Sequence, residues 1–154
     1  RNTMWNDDKD ACTRKVLSIL KYVDFLKLSD EEIDMVGGHD NVLNIMKEYG
    51  IAVAVLTLGG GGAELFYDGA SYVVPGFRVD RVADTTGAGD AFWGGFLANV
   101  LNQGVSNVSQ LNAELLKHAV KYGNVSGSLS VREKGAIASL PTREKIEKFL
   151  AENP

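Results

Sequence analysis

The run Ile51-Ala52-Val53-Ala54-Val55-Leu56 is apolar at every position and β-branched at alternate ones. A strand with one wet face alternates apolar and polar residues. A run with no polar residue suits a strand covered on both faces, as in the parallel sheet of an α/β protein. The four glycines from Gly59 to Gly62 then place small, free backbone at the carboxyl end of that strand. Open α/β sheets receive ligands at that end.

The pattern around the run agrees with this class. Asp7 and Asp8 precede an amphipathic stretch with Ala11, Val16, Leu17, Ile19, Leu20 and Val23, which predicts a capped helix. Phe25-Leu26-Lys27-Leu28 reads as a strand, and Ser29-Asp30-Glu31-Glu32 as a capping box opening a short helix with Ile33, Met35 and Val36. Gly37-Gly38 breaks that helix. The next carries Val42, Leu43, Ile45, Met46 and Tyr49 and ends at Gly50. Beyond the central run, Ala63–Tyr67 and Ser71–Val74 flank Asp68-Gly69-Ala70, a hairpin signal. From Gly87 the periodicity is helical. Phe92, Phe96, Leu97, Val100 and Leu101 make an apolar stripe; a long helix near Leu111 to Leu129 and a last one from Thr142 to Leu150 follow. The alternation predicts an α/β fold with a mostly parallel sheet, one domain over residues 1–154, without internal repeats or linkers.

Bulk properties exclude several classes of function. A chain of 154 residues, 45% hydrophobic, can bury a substantial core. Its net charge of -4 argues against nucleic acid or an anionic membrane as partner. No apolar run reaches bilayer length. Cys12 is the single cysteine and cannot close an intrachain disulfide, which points to a reducing, cytoplasmic setting. The chain opens on Arg1-Asn2-Thr3-Met4-Trp5 without an initiator Met, so the expectation is that it begins part-way through a larger protein.

The strongest chemical signal is Asp84-Thr85-Thr86-Gly87-Ala88-Gly89-Asp90. A small-residue turn running into a helix leaves its first N–H groups unpaired and aimed outward, a ready anion site reinforced by the helix dipole. Gly87 and Gly89 remove side chains that would keep a phosphate away. Asp90 falls in the first turn. There a carboxylate can complement the dipole, or it can take a proton from an attacking hydroxyl as phosphoryl transfer requires. His39 and His118 lack ligand-spaced partners, Trp93 reads as packing, and Cys12 has no paired base.

The longer string, Asp84 to Gly95, closely resembles the second signature of the ribokinase-like (PfkB) carbohydrate kinases. The resemblance implies a ribokinase-like three-layer α/β/α fold, of which this chain would be the carboxyl-terminal half. It implies that Asp90 is the catalytic base and that the backbone of Gly87, Ala88 and Gly89 forms the anion hole. Thr57-Leu58-Gly59-Gly60-Gly61-Gly62 resembles the family's Thr-x-Gly-x-x-Gly loop, so Thr57, Gly59 and Gly62 would meet the nucleotide. Ser29 and Glu32 resemble the Asn-x-x-Glu element, with Ser29 in place of Asn; Glu32 would help to hold Mg²⁺ through water. Tyr122-Gly123-Asn124-Val125-Ser126-Gly127 resembles the adenine wall, with Asn124 at the base. Asp84, Thr86, Ser130, Glu133, Gly135 and Ser139 match positions that bind a monovalent cation such as K⁺, although Arg132-Glu133-Lys134-Gly135-Ala136 departs from the usual Thr-Arg-x-Gly-Ala.

Arg1–Trp5 is similar to the tail of an Asn-x-Arg-x-x-Leu-Trp motif common in bacterial fructokinases. Together these resemblances imply ATP-dependent phosphorylation of a sugar, fructose first, with ribose, 2-keto-3-deoxygluconate or a nucleoside as other acceptors. A regulatory nucleotide-binding module without catalysis is the competing expectation, and the retained Asp90 argues against it. The partners expected are a small sugar and ATP, with a homodimeric parent protein. The 154 residues alone are expected to be inactive, because the family's sugar-binding and lid elements lie upstream.

Overall fold

The computed structural model describes residues 8–153. Helix α1 (Lys9–Ile19) starts on Asp8, whose carboxylate accepts the Ala11 N–H at 2.8 Å. Strand β1 (Phe25–Ser29), short 3-10 turns at Ile33–Val36 and His39–Asn41, and helix α2 (Val42–Tyr49) follow. Gly50 ends α2 in the left-handed region at φ 75°, a conformation that costs glycine little. Strand β2 (Val53–Thr57) leads through the glycine loop into β3 (Gly62–Tyr67) and β4 (Ala70–Pro75). Helices α3 (Ala88–Asn102), α4 (Ala113–Ser130) and α5 (Arg143–Glu152) complete the chain. No helix among the described residues is long and apolar enough to cross a membrane.

The strands form one sheet in the order β1-β2-β3-β4. Here the expectation of a mostly parallel sheet is corrected: β1 and β2 are parallel, whereas β2–β3 and β3–β4 are antiparallel. The reason is local. Asp68 and Gly69 both take positive φ (49° and 75°), as a tight hairpin turn requires, so β4 folds back on β3.

β2 is buried on both faces, as its composition predicts. Val53 and Val55 join Leu65, Phe92, Phe96, Leu116 and Val120 on one side. Ala54 and Leu56 join Leu28, Val42, Ile45, Met46 and Phe66 on the other. The result is α1 and α2, then sheet, then α3 and α4: three layers. The α3 stripe is narrower than expected, because Phe92, Phe96 and Val100 are buried while Leu101 is 68% exposed. Trp93 stacks on Phe96 with ring centroids 5.0 Å apart. His39 turns to the buried Glu64, Nε2 to Oε2 being 2.7 Å.

Helices α3 and α4 approach closely. A Cβ on Gly95 would stand 2.7 Å from the Ser126 Cβ, and one on Gly123 would stand 2.9 Å from the Phe92 carbonyl. The small face of α4 is therefore explained by packing against α3.

Candidate active site

Thr57 ends β2, and its hydroxyl donates to the Leu28 carbonyl of β1 at 3.2 Å. The glycine loop beyond it is closed by backbone bonds from Leu58 N–H to Gly62 O and from Gly61 N–H to Leu58 O. At Gly62, φ is +102°, and a Cβ would stand 2.3 Å from both the Gly76 nitrogen and the Val74 oxygen. No larger residue fits there without moving backbone.

Gly87 caps α3 at φ 81°, and a Cβ on it would lie 2.7 Å from the Ala136 Cβ. The Ala88 N–H is taken by the Thr85 carbonyl at 3.1 Å, and the Ala91 N–H returns to the Gly87 carbonyl at 2.8 Å. The amides of Gly87, Gly89 and Asp90 have no acceptor among the described residues. This alters the expected anion hole: Ala88 spends its amide on closing the turn, and Gly89 and Asp90 present theirs.

The first turn of α3 separates two concavities. A chiefly apolar cavity of about 480 Å³ is lined by Thr57, Gly59 and Gly62 of the loop, Ala88 and Gly89 of α3, and Asn124 of α4. A groove of about 420 Å³ is lined on the opposite side by Asp90, Gly94, Tyr122, Ile137 and Arg143. Asp90 is exposed and faces that groove. Asn124 is buried at the cavity wall, and its side-chain amide donates to the Val74 and Pro75 carbonyls at 3.1 and 3.2 Å. Those bonds hold the end of β4 and leave the Asn124 carbonyl oxygen as the group able to meet a ligand.

Of the positions matched to a monovalent cation, the fold gathers some and not others. Asp84 accepts the Thr86 N–H at 2.9 Å and the Gly135 N–H at 3.3 Å, and Ser139 N–H donates to the Gly135 carbonyl. The bonds from Thr86, its backbone amide first, and from Gly135 hold the Asp84 carboxyl below its usual range. The Ser130 hydroxyl bonds instead to Gly127 within α4, Glu133 is exposed, and no hydrogen bond among the described residues draws either into the cluster. Val131, which no motif singles out, accepts the Ala83 and Asp84 amides and anchors the turn to α4. The gathered donors are carboxylate, hydroxyl and carbonyl oxygens, a set suited to a hard cation.

Glu32 sits across from α3. Its carboxylate accepts the Ser29 N–H at 2.9 Å and lies 3.6 Å from the Lys27 ammonium. Burial alone would raise its pKa; the Ser29 amide and Lys27 outweigh that and hold the carboxyl below its usual range. Ser29 thus meets Glu32 through its backbone, and half of the expected capping box is present. An ionised oxygen ligand at this place fits Mg²⁺ held through water. Arg1–Trp5 lies outside the described residues.

Comparison with known proteins adds four findings. A family model described as "pfkB family carbohydrate kinase" matches residues 1–143. Fructokinase-2 of Zea mays is 39% identical over 147 residues, which cover 92% of this chain and 42% of that protein. Among solved structures, a double mutant of the Vibrio cholerae O395 fructokinase, in fructose-, ADP- and potassium-bound form, matches with a TM-score of 0.78 at 30% identity, over 90% of this chain and 44% of that one. Aminoimidazole riboside kinase from Salmonella enterica, complexed with aminoimidazole riboside and an ATP analogue, matches with a TM-score of 0.78 at 29% identity, over 98% and 50%. The chain spans about half the length of the relatives it matches.

Proposed function

The chain belongs to the pfkB family of carbohydrate kinases, and from that premise we propose that the protein carrying it transfers phosphate from ATP to a hydroxyl of fructose. The observation that carries this reading is the first turn of α3, where free amides of Gly89 and Asp90 stand between a nucleotide-sized cavity and a groove faced by the Asp90 carboxylate.

The nucleotide lies in the cavity, its phosphates over the Gly59–Gly62 loop and its base towards Asn124. The transferring group is received by the α3 amides, whose partial positive charge matches the negative charge on its oxygens. The acceptor hydroxyl comes from the groove side and gives its proton to Asp90 as the new bond forms. When bound, Mg²⁺ neutralises phosphate charge, with Glu32 holding it through water; K⁺ beside Asp84, Thr86 and Gly135 would steady the same turn. Fructose is the first acceptor to test because fructokinases from plants and Escherichia coli, 31% to 39% identical, match nearly the whole of this chain. The match to the aminoimidazole riboside kinase, at an equal TM-score, supports a nucleoside as the second acceptor to test.

The 154 residues alone bind nucleotide without turning over sugar on this reading, since holding the acceptor supplies much of the rate and the matched relatives are about twice as long. The test is Asp90→Asn in the full protein. Turnover of fructose falls by about 10²- to 10⁴-fold while ADP binding is kept. Unchanged turnover would remove Asp90 from the chemistry, and a protein that binds nucleotide but phosphorylates no member of a sugar and nucleoside panel would be a regulatory module.

A further inference from the structure

Lys27 belongs to none of the motifs above, yet β1 delivers it to the reacting end of the fold. Its Nζ lies 3.5 Å from where a Cβ on Gly89 would stand, against the first turn of α3. It also lies 3.6 Å from Oε2 of Glu32, with the side chain 22% exposed. A helix amino terminus carries partial positive charge, and cations are favoured at the opposite end. Here an ammonium faces that terminus, beside the free amide of Gly89. Glu32 is the carboxylate within ion-pair distance, and the same oxygen already accepts the Ser29 amide. Such an arrangement opposes the stability of the empty protein and suits a site where a strong anion enters between the two positive groups.

We infer that Lys27 is a further catalytic residue, donating to oxygens of the transferred phosphoryl group from the side facing the α3 amides, with Glu32 as the positioning residue that holds its ammonium. The inference rests on the kinase reading. In the step, the acceptor oxygen bonds to the γ-phosphorus, the bond from that phosphorus to the β–γ bridging oxygen breaks, and its electron pair leaves with ADP. The hydroxyl proton passes to Asp90. Lys27 stays protonated throughout and contributes charge alone. A lysine that merely covered β1 would be indifferent to which nucleotide is bound; one that meets the transferred group tells ATP from ADP.

The experiment uses Lys27→Met and Lys27→Arg in the full protein, with fructose kinetics and calorimetric binding of ADP and of a non-hydrolysable ATP analogue. In Lys27→Met, kcat falls by about 100-fold or more, while KM for fructose stays within about threefold. Affinity for the ATP analogue drops by about tenfold and that for ADP holds, which also reports a folded site. Lys27→Arg regains part of the lost rate. A kcat in Lys27→Met within about threefold of the unsubstituted protein overturns the inference, as does equal weakening of analogue and ADP. If the unsubstituted protein phosphorylates no sugar, the kinase reading falls, and the analogue–ADP comparison still decides the Lys27 contact.

Discussion

Two glycine turns line the same cavity, the loop after β2 and the turn into α3, and a methyl group added to each meets different neighbours. At Gly62 it would strike the backbone of Val74, Pro75 and Gly76 at 2.3 to 2.6 Å, so that glycine is demanded by chain against chain. At Gly87 it would strike one residue, Ala136, whose Cβ stands at 2.7 Å and Cα at 3.2 Å, and φ is +81°. At Gly89 it would reach Lys27 at an ordinary 3.5 Å, and at Gly60 nothing. The first turn is a fold device that happens to face the cavity. The second is held more lightly, by a left-handed residue and the bonds of Asp84, and its open space faces the amides. A motif match alone does not separate these cases; the neighbours of the missing Cβ do.

Substitution at the two turns tests the contrast. Gly62→Ala is the most damaging: with backbone in the way and positive φ, it costs about 3 kcal/mol or more of stability in urea unfolding. Gly60→Ala, on the same loop and in open space, stays within about 0.5 kcal/mol and is the control. Equal costs would erase the distinction. Gly87→Ala costs about 2 kcal/mol. Adding Ala136→Gly relieves most of the steric part, the Cα at 3.2 Å remaining, and leaves about 1 kcal/mol, chiefly from the left-handed backbone. Full recovery would show that φ matters little at this cap, and no recovery that Ala136 does not supply the clash.

The smallest effect concerns pH. Asp84 has a depressed carboxyl, so its clasp on Thr86 and Gly135 is present above the unfolded carboxylate range and is lost as pH falls through the lowered native value. Asp84→Asn therefore flattens the acid limb of the stability–pH curve below about pH 5. An unchanged limb would mean that the clasp is not linked to folding.

The hairpin, the end of α2 at Gly50, the double burial of β2 and the α3 turn are all legible in sequence, because each is dictated by residues within a few positions of one another. What escaped is long-range. The Thr57 hydroxyl is spent on Leu28, 29 positions upstream, and Asn124 on β4, about 50 positions upstream. One local detail escaped as well: the Ala88 amide is taken by the turn that it helps to make. Lys27 read as one polar residue in a short strand, because its nearness to Gly89 arises only when β1 and α3 meet across the sheet. The antiparallel pairing of β4 with β3 followed from the hairpin that was itself expected, and that of β3 with β2 from the closed glycine loop between them; the alternation of strands and helices outweighed both when the whole sheet was assigned. Leu101 lies where an apolar period continues past the surface that it packs against.

The first turn of α3 has one side towards the cavity and the other towards the groove, and this separation bears on how such a protein can diverge. On the kinase reading proposed above, exchanges along the groove wall, at Ile137 or Arg143, would change which alcohol is admitted without touching the glycines, Asn124 or the amides on the cavity side. Descendants of one ancestor could thus inherit the costly half of the machinery intact and vary their diet by editing a handful of side chains on the far side of a single helical turn.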